Sequence, residues 1–437
     1  MGTSPSTKET TLHHCRDPLA ARLRQDPDVD FTGVIINATS DVYVEKMLVA
    51  KRTACMLDAM RPDGYLISLG AWGNPHIDFA GVAGFAGQLG IPCVALSFLG
   101  SIGSFVVDTP HMLAHLDLNK TSHGAESLAV GDNTVVEQDA LKALTILKSR
   151  LRKRQPERRV AFDPGTGLVR QMRRLEVRTH AVQEVRRAEQ TALEAGVLHL
   201  DLAALERRVF AWPGSGWEPG PLLQGLIRRV TISILPPAAD CGASGHDVQV
   251  NSILDFVPLA AKAEGLVGEG VTNRLSGVQM MLCAVDEDGY QPINFGCAKG
   301  RLGDVVQYGR SGTPAPDEYI IHVDVLLKSG EGCTREGVMA AHLAGDIILE
   351  EIRELLRPLN RYQAMSRQKF IESTKPGLLR IALVKMLSGD GAMGDAALFP
   401  QEPGGFIGSR SIMDLTHNLP ILISPNEYQD GIIRNLS

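Results

Sequence analysis

The sequence predicts an α/β plus α+β protein: a parallel-sheet unit over residues 1–150, a linker over 151–170, and a larger α+β unit over 171–437. Three observations carry this. Short apolar runs alternate with amphipathic stretches in the first 100 residues. A basic, proline-bearing run, RLRKRQPERR at 150–159, interrupts the pattern. Beyond residue 170, strand-like segments follow one another with few helical stretches between them.

In the first unit, DFTGVIINAT (30–39) holds a buried strand, and 43–60 places Val44, Met47, Leu48, Met56, Leu57 and Met60 at helical spacing. YLISL (65–69) is a second strand, 77–89 a helix, and PCVALSF (92–98) a third strand. Strand–helix alternation with short links implies a parallel, flavodoxin-like sheet, with ligands beyond the carboxyl ends of its strands. The stretch 108–133 is polar and reads as a lid or interface, and 139–151 as a helix. In the second unit, 230–235, 248–259, 277–285 and 319–328 read as strands. Residues 286–289 (DEDG) read as a turn, 335–356 as a long helix, and 378–387 and 420–424 as short elements.

The 437 residues are 44% hydrophobic and 22% charged, with a net charge of −6. That balance excludes a disordered chain and gives no general attraction to nucleic acid. No apolar run approaches the roughly 20 residues of a membrane span, and no signal peptide is read. Seven scattered cysteines without a CxxC fit a reduced, cytoplasmic setting, and no metal-ligand spacing occurs.

Two glycine-bearing loops close the first unit's strands, at 70–79 (GAWGNPHIDF) and 99–105 (LGSIGSF). Neither fits a dinucleotide or P-loop pattern. Asn74, His76 and Asp78 sit where a helix begins; they either cap it or present polar groups to a ligand, with His76 as an acid or base. In the second unit, Gly268-Glu269-Gly270-Val271-Thr272-Asn273-Arg274 combines close backbone approach with both charges. It is either a surface turn with an ion pair or a substrate-binding loop. In the latter, Arg274 takes a carboxylate, Glu269 acts near the amine, and Gly268, Gly270 and Thr272 complete the contact. Cys241, with His246 nearby, is a candidate thiol nucleophile.

Several motifs resemble the D-proline reductase proprotein family, related to glycine/sarcosine/betaine reductase component B. They are AKRTACMLDAMRPDGYLISLGAWGNPHIDF (50–79), LDLNKTSHGAES (116–127), the segment 271–296 with its VDEDG turn, REGVMAAHLAGD (335–346), the GDGAM loop (389–393) and PILISPNEYQDG (420–431). The resemblance covers about 5–150 and 195–435, with the family's two parts in reversed order. It implies an amino-acid or cyclic-amine substrate, reductive C–N bond cleavage, a thiol or selenol partner subunit, and a homo-oligomer. Family members self-cleave at a cysteine that becomes a pyruvoyl group. Here that junction maps to Ile432–Ser437 and Met1–Pro5, where no cysteine stands; Cys15 lies ten or more residues downstream. The resemblance therefore implies an uncleaved chain with no encoded pyruvoyl cofactor. Gly70 stands where the family motif has a glutamate. The alternative is a non-redox relative that binds an amino acid or catalyses racemase- or lyase-type proton transfer.

Overall fold

The computed structural model describes residues 10–430 except 40–41, 70–72, 74, 105–106, 125–126, 128, 155–169, 212–224, 243–244, 251–254, 290–299, 333, 388, 391–392 and 395–419. Asn74 and most of the expected linker lie outside the described residues. The chain runs α1 (Thr11–Arg16), α2 (Pro18–Gln25), β1 (Val29–Ala38), α3 (Tyr43–Met60), β2 (Gly64–Leu69), α4 (Pro75–Gln88), β3 (Cys93–Ser97), β4 (Met112–Asp117) and α5 (Glu137–Arg154). It continues through β5 (Arg170–Ala181), α6 (Leu202–Ala211), β6 (Ile227–Leu235), β7 (Asp255–Val257), β8 (Ala260–Glu264), β9 (Gly270–Ser276) and β10 (Val278–Asp286). The last elements are β11 (Tyr319–Leu327), α7 (Arg335–Leu356), β12 (Ser366–Thr374), β13 (Leu379–Leu387), β14 (Ile421–Ile423) and α8 (Pro425–Gln429), with strands and helical turns of two to four residues between.

One sheet has six strands in the order β14-β1-β13-β2-β3-β4. All are parallel except β14, which runs antiparallel along β1. Helices cover both faces, as the strands' continuous apolar sequences require. Val34, Ile36, Leu66, Val94, Leu96, Ile381 and Leu383 pack against α2, α5 and Tyr428 of α8. Ile35, Tyr65, Ile67, Cys93, Ala95, Ala382 and Val384 pack against α3 and α4.

The strand between β1 and β2 comes from residues 379–387, far along the chain. The sequence-based division at 151–170 assigned that stretch to the second unit. Its residues 381–386 are buried on both faces, and a central position in this helix-covered sheet buries both. The two units are therefore interleaved, not consecutive. A second revision concerns 108–133, expected to be irregular. Residues 112–117 form the edge strand β4, pairing with β3 in parallel. Its half-buried pattern is what an edge position allows.

The remaining chain builds two four-stranded mixed sheets, β7-β10-β11-β6 and β8-β9-β5-β12, besides smaller sheets of two or three short strands. Successive residues of β10 point to opposite sides, so Met280 and Leu282 join the core under α7, whereas Met281 and Cys283 face Leu12 and Cys15 of α1. Asp255 fixes α1 there by accepting from the Thr11 backbone N–H at 2.8 Å and from its hydroxyl at 2.5 Å.

Candidate functional site

Register aligns a row of side chains near the carboxyl ends of the parallel strands. Asn37 pairs with Met386 and Met386 with Leu69. One strand further, Ser68 pairs with Leu96, which sets Leu69 level with Ser97; Ser97 pairs with Asp117. All five lie on the α3–α4 face by strand alternation. Open parallel sheets bind ligands beyond this edge.

His76 enters this row from the first turn of α4, which Pro75 starts with a pre-set φ. Its Nε2 lies 3.0 Å from Ser97 Oγ, and Ser97 Oγ lies 2.9 Å from His115 Nε2. His76 and Ser97 are buried, and His115 is half-buried. Burial pushes the His76 imidazole down to about 4, and the nearby His115 adds to that. Burial likewise pushes His115 down to about 4, against the opposing pull of Asp117. Both rings are neutral at pH 7. Two residues on from His76, Asp78 pairs with Lys46 of α3 at 2.7 Å, with both side chains almost fully buried.

At the other end of the row, the Asn37 amide donates to Thr53 Oγ1 at 3.0 Å. The Thr53 hydroxyl spends its one proton on Val49 O at 2.9 Å. Asn37 must therefore present its NH₂ to Thr53, and its buried Oδ1 has no hydrogen-bond partner among the described residues. Between these polar ends lie the apolar side chains of Met386 and Leu69.

The second expected group sits elsewhere. Gly268 N–H donates to Asp430 Oδ2 at 2.6 Å, Lys262 Nζ reaches the same oxygen at 2.8 Å, and the Thr272 hydroxyl donates to Asp430 Oδ1. Arg274 donates to the carbonyls of Gln429 and Asp430 at 3.4 and 3.1 Å. The glycines serve close approach, but to protein. A Cβ on Gly268 would lie 2.7 Å from Glu427 Cγ, and one on Gly270 would lie 2.1 Å from Glu264 O. Glu269 is half-buried and favours the charged forms of Arg173 and Lys262. The loop thus clasps the end of α8, on the α2–α5 side of the sheet, whereas His76 lies on the other face. Arg274→Met is expected to lower the unfolding free energy by about 1–2 kcal/mol by orphaning those carbonyls. Urea denaturation checks this; unchanged stability would separate Arg274 from α8 docking.

Cys241 stands in a third place, donating weakly to Pro237 O at 3.5 Å. His246 does not serve it: its Nδ1 accepts from the Tyr308 hydroxyl at 2.7 Å and its Nε2 donates to Pro236 O at 2.6 Å. His76 and Asp78 share the first turn of α4, with His76 on Ser97 and Asp78 on Lys46. The loop residues Gly268, Glu269, Gly270, Thr272 and Arg274 form a separate group, and Cys241 joins neither. Sequence reasoning missed Ser97 and placed His115 only within the polar stretch read as a lid or interface. A serine ending the apolar run PCVALS and a histidine in the alternating MLAHLD were the available signals. No group of three or more His, Cys, Asp or Glu able to hold a metal occurs among the described residues. No helix among them is long and apolar enough to cross a membrane.

Residues 2–101, which include His76 and Ser97, match the family of glycine/sarcosine/betaine reductase component B subunits. The D-proline reductase proprotein of Acetoanaerobium sticklandii is 34% identical over 221 residues, 50% of this chain and 34% of that protein. The chain is related to the D-proline reductase proprotein. The match spans about a third of the relative's length. No solved structure matches this chain.

Proposed function

We propose that this chain acts on an amino acid or cyclic amine at the carboxyl edge of its parallel sheet, in a reductive C–N cleavage. The observation that carries the reading is the pair of neutral imidazoles joined through Ser97. His76 lies in the segment similar to the reductase component. In the reaction, the C–N bond breaks, a C–H bond forms, and two thiols of a partner subunit (or a thiol and a selenol) become a disulfide or its selenium analogue. The thiols supply two electrons and two protons. His76 passes a proton to the departing nitrogen. Asn37 Oδ1 offers an acceptor to the substrate N–H, and Met386 and Leu69 line the floor under its carbon skeleton.

Among the described residues, no cysteine that could form a ketone lies at this edge. Cys15 and Cys283 are packed in the cluster beneath α1, and Cys93 starts β3 at the opposite end of the strand. Burial raises the Cys93 thiol to about 12. Cys55 is exposed on α3 and Cys241 lies in the second unit. In this reading, substrate activation falls to this chain's other residues or to the partner. The second reading, proton transfer without redox chemistry, is favoured by the same imidazole pair.

A thermal-shift screen with D- and L-amino acids, proline, ornithine and cyclic amines tests the site. A ligand present at a hundred times its Kd is expected to stabilise the fold by about 2.7 kcal/mol. A hit followed by cleavage only when a dithiol is added supports reduction. Turnover without any electron donor moves the conclusion to the second reading. No shift with any of these compounds overturns both.

A further inference from the structure

The Ser97 hydroxyl has one proton and lies within hydrogen-bond distance of two ring nitrogens, His76 Nε2 at 3.0 Å and His115 Nε2 at 2.9 Å. Two hydrogen bonds through one oxygen need two protons. Ser97 supplies one, so a ring must supply the other. A neutral imidazole carries a single N–H. If His115 is protonated at Nε2, it donates to Ser97, Ser97 donates to His76, and the His76 proton is on Nδ1. If His76 is protonated at Nε2, the order reverses and the His115 proton is on Nδ1.

We propose that His115, acting through Ser97, is a positioning residue that couples the tautomer of His76 to its own. The two rings are locked in opposite tautomers. This rests on the proposed site in so far as His76 does its chemistry, but the lock itself needs no substrate. Its parts come from three adjacent elements: His76 from α4, Ser97 from the end of β3, and His115 from β4. Asp117 tethers the chain that follows Ser97 by accepting from the N–H groups of Leu99 and Gly100 at 3.0 and 3.4 Å. Gly100 is required there: its φ is +54°, and a Cβ would lie 2.2 Å from Gly124 O. The hydroxyl is thus held by a strand end closed on both sides. Coupled in this way, His76 carries its proton on Nδ1 only where His115 carries its own on Nε2.

Ring-nitrogen NMR on protein labelled at histidine tests this near pH 7. The expected wild-type result is one ring protonated at Nε2 and the other at Nδ1. Ser97→Ala and His115→Phe should each change the His76 nitrogens to a tautomer-averaged pattern. Ser97→Thr, which keeps the hydroxyl, should preserve the wild-type pattern. Matching tautomers on the two rings, or a His76 spectrum unchanged in both Ser97→Ala and His115→Phe, would overturn the proposal. Melting curves of each variant confirm that the chain is folded. A normal NMR result with no ligand in the thermal-shift screen would count against the proposed function alone.

Discussion

Lys385→Met is expected to lower the unfolding free energy by about 3–5 kcal/mol at pH 7, because it leaves a buried carboxylate without its cation. Lys385 lies in the central strand β13 with no exposed surface. Its Nζ is 3.1 Å from Asp17 Oδ2. Asp17 joins three parts of the molecule. It caps α2 by accepting from Leu19 N–H at 2.7 Å, it accepts from the Tyr428 hydroxyl of α8 at 2.7 Å, and His13 of α1 lies 3.6 Å away. Burial pushes its carboxyl up. Lys385, His13 and Tyr428 together more than offset that and hold it well below the usual carboxylate range. A folded-state pKa below the unfolded one gives stability that is present above about pH 4 and lost as pH falls through the folded value. Removing Lys385 reverses the balance, so the deficit should shrink on acidification as Asp17 takes up a proton. Lys385→Met combined with Asp17→Asn should recover more than half the loss, since the amide oxygen can still cap α2 and no charge is stranded. Guanidinium titrations of both variants at pH 7 and pH 4 decide the matter. A deficit under about 1 kcal/mol for the single variant would show that the pair does not hold β13, α2 and α8 together.

Much of the secondary structure was legible locally. The helices at 43–60 and 335–356 have the bounds that periodicity predicted, and β2 and β3 fall within one residue of their expected limits. What the sequence hid was non-local. Leu379–Leu387 reads as a strand, but nothing in its own composition says that it inserts between β1 and β2. Lys385, a charge within that apolar run, is explained by Asp17, 368 positions earlier in the chain. The site was legible in the same partial way. His76 was visible as a polar residue at a helix start beyond a buried strand. The loop at 268–274 was equally suggestive, because a glycine-flanked ion pair looks alike whether its counter-charge is a ligand or Asp430. Ser97 and His115 carry no motif, and only the pairing of β3 with β4 sets them beside each other.

Stability should fall as pH drops from about 6.5 to 4, and His76 and His115 should account for much of the decline. Both rings are pushed down to about 4 in the fold, chiefly by burial, whereas a solvent-exposed histidine titrates near 6.5. Across that window the unfolded chain binds protons that the folded chain refuses, so the unfolded state gains with acidity and stability rises with pH. Below about pH 4 both states are protonated and the effect levels off. A shift of this size corresponds to roughly 3 kcal/mol for one ring. The two do not sum to twice that, because part of the His76 shift comes from His115 itself. Asp17 acts in a separate, more acidic window. His322 is pushed down by burial too and titrates in the same direction, so single variants and not the total slope carry the test. His76→Gln and His115→Gln should each flatten the pH dependence between 6.5 and 4, since an amide has no proton to refuse, while each loses some stability at pH 7 from altered contact with Ser97. Urea unfolding at half-unit steps of pH measures this. Profiles parallel to the wild type in both variants would mean that the rings accept protons freely in the fold, and the neutral pair proposed to serve the crevice would not exist.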